Sequence, residues 1–169
     1  MASMNRRHPQ NTNERGAALV EFALTLPLLL VVIAGIVDFA FLFQRYEVVT
    51  NAAREGARLA STPVYNINPG VVRAHVRSYV QQGLDLSSGA MATVLPTGPP
   101  DAVEVVNDIN TYTVGADTYA VPIVRVRVTY QHSFLMMGPV LALIGGNWGN
   151  NIEIVSTSEM RLEAPGGGS

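Results

Sequence analysis

The sequence predicts an α+β fold, in which a long N-terminal transmembrane helix extends into an exported domain with a short helix and a small antiparallel β-sheet. Three observations predict it. Residues 22–43 are almost entirely apolar, residues 68–83 have a helical spacing of valines, and residues 119–131 alternate between apolar and polar side chains. The first pattern predicts the anchor and the other two predict the exported domain.

The apolar run at residues 22–43 is long enough to cross a bilayer. Its 22 residues would span roughly 33 Å as a helix, which matches the hydrocarbon core. Three basic residues precede it (Arg6, Arg7 and Arg15) against one acid, Glu14. That excess predicts a cytoplasmic N-terminus and an exported C-terminal region. A cleaved secretory signal is the alternative, but the run is too long and lacks a small-residue cleavage site at its end, so a retained anchor is favoured.

The helical pattern continues beyond the apolar run, from Gln44 to Ala60, and Pro63 is expected to end it. Inside the run, Pro27 is expected to bend the helix locally. Two faces of the outer half can be distinguished by spacing. The polar face is formed by Glu47, Asn51, Arg54 and Arg58, and the small-residue row by Ala52, Gly56 and Ala60.

Rows of small residues let two backbones approach closely. We therefore predict that the small-residue row is a packing face, either against the protein's own sheet or against neighbouring helices. The alternative is that alanine simply favours helix and the row has no packing role.

The exported region is expected to contain one amphipathic helix, capped by Gly83, and three strands at residues 102–106, 119–131 and 151–163. Residues 93–101 are interpreted as a loop. Pro122 is expected at an edge or a bulge of its strand. Residues 134–150 are apolar but broken by glycine and proline, which predicts either a lid over the sheet or an exposed contact patch.

Composition and motifs argue against catalysis. Cysteine is absent, no nucleotide-binding or hydrolase motif is present, and the three histidines (His8, His75 and His132) are far apart in sequence. Arg125 and Arg127 are interpreted as an ordinary wet strand face. The net charge of −2 gives no indication of a nucleic-acid partner. We expect a protein that is not an enzyme and that uses no metal and no cofactor.

The stretch RGAALVEF (Arg15–Phe22) resembles the class III prepilin signal of type IV-like pilins, with a glycine, a small residue, a glutamate five places on, and then an aromatic residue. The chain from there to residue 62, and REGAR (Arg54–Arg58) above all, resembles the TadE-like pseudopilins of the tight adherence (Tad) pilus system. The closing strand is similar to the end of those proteins. The resemblance implies a pilin-like fold and a minor pilin that primes, modifies or joins a surface pilus used in adhesion.

The resemblance also implies processing by a prepilin peptidase that cuts after the glycine. Gly16 would be the last leader residue and Ala17 the new N-terminus. The chain would then divide into a leader at 1–16, a transmembrane and extended helix at 17–62, an exported α+β domain at 63–163 and a flexible tail at 164–169.

Two acids fall in or beside the apolar run. The resemblance implies that Glu21, followed by Phe22, takes part in assembly by pairing with the ammonium of Ala17 or of a neighbouring subunit; the alternative is a carboxylate hydrated at the cytoplasmic interface. Asp38 lies about 25 Å further along the helix. We expect it near the outer interface, where hydration lowers the cost of its charge, in a structural or interfacial role.

The implied partners are other pilins and pseudopilins of the same system, the prepilin peptidase, the inner-membrane assembly platform and the lipid bilayer. The implied location is the inner membrane, with a single pass and the N-terminus inside, and incorporation into the extracellular pilus is left open. A different class of protein also fits the sequence: a single-pass anchored protein whose exported β-domain binds a ligand or partner without entering a filament.

Overall fold

The structure is a computed structural model, and it describes residues 12–62, 68–98, 100–139 and 151–162, with backbone alone at residues 12–15. It confirms the predicted α+β class. A long helix is followed by two short helices and a three-stranded antiparallel sheet. The elements are α1 (Thr12–Ser61), α2 (Pro69–Gly83), α3 (Ser88–Val94), β1 (Val103–Val114), β2 (Asp117–Ser133) and β3 (Asn151–Arg161).

Helix α1 has 50 residues and is therefore about 75 Å long. It continues through Pro27. The apolar side chains of its inner half, residues 16–48, are mostly exposed. Only Ala34 and Asp38 are buried there. From Val49 onward the helix packs on β2, β3 and α2. The outer half of α1 thus supplies one wall of the core, and the inner half leaves it.

Helix α2 begins at a side-chain cap. The Asn68 carboxamide oxygen accepts a hydrogen bond from the Gly70 amide at 3.0 Å, and Pro69 has no amide that needs an acceptor. Its valines at positions 72, 76 and 80 are buried on one face, as their spacing predicts. This face closes the core over the outer half of α1.

The expected role of Gly83 as a cap is wrong. The residue with positive φ after α2 is Asp85, at 49°. Gly83 is needed for a close approach instead, because a β-carbon there would lie 2.8 Å from Cγ1 of Val48 on α1. The glycine therefore sets the distance between the two helices.

The sheet has the strand order β1-β2-β3, with both pairs antiparallel. The central strand β2 alternates as its sequence predicts, because Val124, Val126, Val128 and Tyr130 are buried under the helices while Arg127 is exposed. On the outer face, Arg125 pairs with a carboxylate on each neighbouring strand: Asp108 at 3.2 Å and Glu159 at 2.5 Å.

The first strand is longer than the sequence predicts. It was expected to end at Val106 but continues to Val114, and β2 begins at Asp117. The two-residue connection has φ of +66° at Gly115 and no positive φ at Ala116, which is the pattern of a type II′ hairpin turn. Residues 111–120 are exposed throughout, so this hairpin projects beyond the core.

The loop expected at residues 93–101 also needs correction, because its first two residues end the short helix α3. Ser87 caps this helix by accepting from the Ala90 amide at 3.3 Å. Met91 from α3 and Leu95 just after it are buried in the core. The helix therefore closes the core from the side of α2.

Pro122 lies where β2 loses one of its two partners. The pairing with β3 ends at Ile123 and Arg161, whereas the pairing with β1 continues to the hairpin turn. Leu162 donates its amide to the Pro122 carbonyl at 2.9 Å, and proline has no amide to return the bond. The residue thus stands at a local edge, as its chemistry requires.

The segment between β2 and β3 is described only as far as Pro139, and residues 140–150 lie outside the described residues, as do the tail from residue 163 and most of the leader. We call residues 134–139 the docked segment. It lies against α1 at Asp38 and Gly35. The expectation of a lid over the sheet is therefore wrong for this part of the connection.

Candidate assembly and anchoring site

The predicted cleavage site lies in an exposed turn of α1. Gly16 and Ala17 are both exposed, and apart from the backbone of α1 itself and the two adjoining residues, a β-carbon added at Gly16 would meet no described atom within 4 Å. Among the residues whose side chains the structure describes, none packs over Gly16.

Glu21 and Phe22 follow one turn later and are also exposed, Phe22 at 59%. Apolar side chains surround them on the helix surface, among them Leu19, Val20 and Leu24. The carboxylate of Glu21 therefore lies on an otherwise apolar helix surface. Such a surface can be covered by lipid or by other helices.

The four residues of the polar face, Glu47, Asn51, Arg54 and Arg58, are exposed. Arg58 forms an ion pair with Glu55 at 2.7 Å, and His75 of α2 lies 3.7 Å from the same carboxylate. The hydrogen bond from Arg58 is the main cause that lowers the pKa of Glu55. The polar face is exposed to solvent, and the opposite side of α1 packs in the core.

The small-residue row lies inside the subunit. Ala52 and Ala60 are buried, at 0% and 3% exposure, and Gly56 is buried between them. A β-carbon at Gly56 would lie 2.5 Å from Cγ2 of Val76 and 3.2 Å from Cγ1 of Val126. The row therefore contacts the protein's own α2 and β2, and it is not a free surface for neighbouring helices.

Asp38 differs most from expectation. It was expected to be hydrated, but its side chain is only 1% exposed. Its carboxylate accepts hydrogen bonds from three consecutive amides of the docked segment. Oδ1 accepts from Leu135 and Met136 at 3.1 Å, and Oδ2 accepts from Met136 at 3.0 Å and from Met137 at 2.6 Å.

These amides open a helical turn at residues 137–139, where amides have no acceptor within the helix itself. A carboxylate is the strongest acceptor available for them, and it also interacts favourably with the positive end of a helix. Asp38 therefore caps a turn that lies about a hundred residues later in the chain. Its role is structural.

A cavity of about 290 Å³ adjoins Asp38 and is lined also by Phe41, Arg45 and His132. Arg45 donates through Nε to the hydroxyl of Tyr130 at 3.3 Å. His132 is buried, and neither ring nitrogen has a hydrogen-bond partner in the described part of the chain. Burial, and then the charge of Arg45, lowers the pKa of His132.

A metal centre finds no support in this region. Across residues 16–62, 68–98, 100–139 and 151–162, no three or more His, Asp or Glu side chains cluster in a way that could hold a metal ion. Arg125 and Arg127 lie on the outer face of the sheet, as the interpretation of a wet strand face expects. Arg125 is neutralised there by its two acidic neighbours.

Comparison with known proteins identifies the helix that carries these residues. Residues 16–58 match the family model described as TadE-like protein. This segment is similar to TadE-like proteins. The TadE-like match begins at Gly16 and ends at Arg58, so it includes Glu21, Asp38 and Gly56 and leaves the exported domain unmatched. Neither the curated proteins nor the solved structures gave a significant match.

The TadE-like helix is also the one membrane-span candidate among the described residues. From Gly16 to Ser61 it is long and apolar enough to cross a bilayer, and little of its most apolar stretch is buried in the fold. It could therefore serve as a membrane anchor. The match to the TadE-like family suggests a link between this segment and the Tad pilus system.

Proposed function

We propose that the protein is a minor pilin or pseudopilin, held in the inner membrane by α1, that primes, modifies or joins a Tad-type pilus used in adhesion. The observation that carries the proposal is the TadE-like match over residues 16–58, which begins at the glycine expected to end the leader. The protein performs no chemistry in this proposal. Its partners are other pilins, the prepilin peptidase and the assembly platform.

The distribution of burial along α1 supports the proposal. The inner half exposes a continuous apolar surface that carries Glu21, whereas the outer half is fixed to the exported domain. A subunit of this shape can leave the bilayer only if other apolar helices replace the lipid around it. The small-residue row lends no support, because the subunit's own core covers it.

The decisive experiment follows the mature protein to its location. Intact-mass and N-terminal sequencing of the protein from cells with an active prepilin peptidase should give a chain that begins at Ala17. The same protein should be recovered in filaments sheared from the cells. A cleaved protein that is never associated with filaments or their assembly proteins would instead favour an anchored binding protein.

Cleavage should depend on the absence of a side chain at Gly16. We expect Gly16→Leu to abolish processing, because a bulky side chain next to the scissile bond blocks the extended backbone that a peptidase must bind. The helix itself should tolerate leucine, since no described atom outside the local backbone of α1 and the two adjoining residues lies within 4 Å of a β-carbon at this site. The measurement is the mass of the protein in the membrane fraction. Normal removal of residues 1–16 from this variant would contradict the assignment of the site.

Glu21 should be required for assembly and for neither insertion nor cleavage. We expect Glu21→Ala to insert normally, because it removes a charge that is costly near lipid, and to be cleaved. Co-purification with partner pilins should be lost, since a buried ammonium would be left without its carboxylate. Glu47→Ala, which removes an exposed acid from the same helix, is the matched control. Equal partner recovery for both variants would show that Glu21 is merely interfacial.

A further inference from the structure

The docked segment reaches back along α1 into the apolar run. Asp38, which holds its amides, lies five residues before Phe43, so the contact is about 8 Å inside the outer end of the run. Gly35 lies about 12 Å inside that end, and a β-carbon there would be 3.9 Å from Sδ of Met137. The docked segment, which begins the β2–β3 connection, therefore runs beside the anchor.

The side chains at this depth are apolar and exposed. Leu135 is 65% exposed and Met136 is 42% exposed, and on α1 at the same level Phe39 is 58% exposed. Large apolar side chains exposed together at one level are unfavourable in water. Beside a helix whose surface is itself apolar, they continue one surface that lipid can cover.

Three backbone amides of the docked segment have a hydrogen-bond acceptor at this depth. Irregular backbone is tolerated in the hydrocarbon region only where protein groups satisfy its amides, since an unpaired amide there costs several kcal/mol. The three amides of Leu135, Met136 and Met137 all donate to Asp38. This arrangement also gives Asp38 the donors that a carboxylate requires in an apolar setting.

We infer that the docked segment inserts into the outer leaflet of the membrane that α1 crosses, and that its partner is the acyl-chain region of the bilayer. Leu135 and Met136 face the lipid, and Asp38 holds the inserted backbone. The exported domain is then attached to the membrane at two places, α1 and the docked segment, which fixes its orientation over the bilayer. The inference rests on α1 crossing the membrane.

Depth measurements on single-cysteine variants test the inference, and the chain suits them because it contains no native cysteine. A nitroxide is attached to Leu135→Cys and, separately, to Met136→Cys in the full chain reconstituted into phosphatidylcholine–phosphatidylglycerol nanodiscs. Collision rates are measured with oxygen, which concentrates in lipid, and with a water-soluble nickel chelate. Ile33→Cys in the apolar run and Val114→Cys at the hairpin provide the lipid and water references.

The oxygen-to-nickel ratio at Leu135 and Met136 is expected to resemble that of Ile33 and to exceed that of Val114 several-fold. Ratios at both sites equal to that of Val114, with Ile33 still in lipid, would overturn the inference and leave the anchor intact. A water-like ratio at Ile33 would overturn the membrane anchor as well, so the two failures are distinguishable. Both labelled sites carry exposed side chains, so the label replaces no packing contact of the core.

Discussion

Asp38→Ala is expected to release the docked segment from α1 and to lower the free energy of unfolding by about 3 kcal/mol or more. A hydrogen bond to a charged group contributes about 1.5–3 kcal/mol, and the variant removes the acceptor of three amides at a buried side chain. The measurements are denaturant unfolding of the full chain in nanodiscs and hydrogen exchange of the amides of residues 135–137.

Two further variants separate the capping role from a general effect of charge. Asp38→Asn retains one oxygen, so it should hold some of the amides and lose less stability than alanine. Asp108→Ala removes an exposed acid whose pair with Arg125 is 3.2 Å long, and such surface pairs contribute only about 0–1 kcal/mol. If Asp38→Ala costs no more than Asp108→Ala and leaves exchange at residues 135–137 unchanged, Asp38 does not hold the segment.

The sequence predicts the large elements because each of them keeps the same surroundings along its length, so its side chains follow one regular pattern. The apolar run and the helical spacing after it predict α1, and the alternation around Arg125 predicts β2. The strand pairing at residues 107–118 was not predicted from the sequence, because the hairpin projects beyond the core and neither of its faces is selected for apolar residues. Glycine at position 115, between two stretches rich in threonine and tyrosine, was the available signal.

The residues of the candidate site can be predicted from the sequence only in part, for a different reason. Spacing places Ala52, Gly56 and Ala60 on one face, but a row of small residues indicates a close approach and not the identity of the neighbour. Asp38 accepts hydrogen bonds from backbone amides. Because nearly every residue type has such an amide, the sequence does not reveal which residues are its partners. An isolated acid in an apolar run was the available signal, since such acids usually have a specific partner.

Gly56 gives the second large effect, because its neighbours leave no room for a side chain. We expect Gly56→Ala to destabilise the protein by about 1–3 kcal/mol, since the new β-carbon would lie 2.5 Å from Cγ2 of Val76 and 3.2 Å from Cγ1 of Val126. This overrides the gain of about 0.5–1 kcal/mol that alanine normally brings to a helix interior. Gly56→Leu should lose more, because its larger side chain must displace α2 or β2.

Gly35→Ala is the matched control within the same helix. Its nearest neighbour would be Met137 Sδ at 3.9 Å, an ordinary contact, so alanine should stabilise α1 by about 0.5–1 kcal/mol. Unfolding in nanodiscs and co-purification with partner pilins are measured for both glycines. Because the row lies in the subunit's own core, Gly56→Leu should lose stability and partner recovery together. Loss of partners with full stability would instead place Gly56 in a contact between subunits.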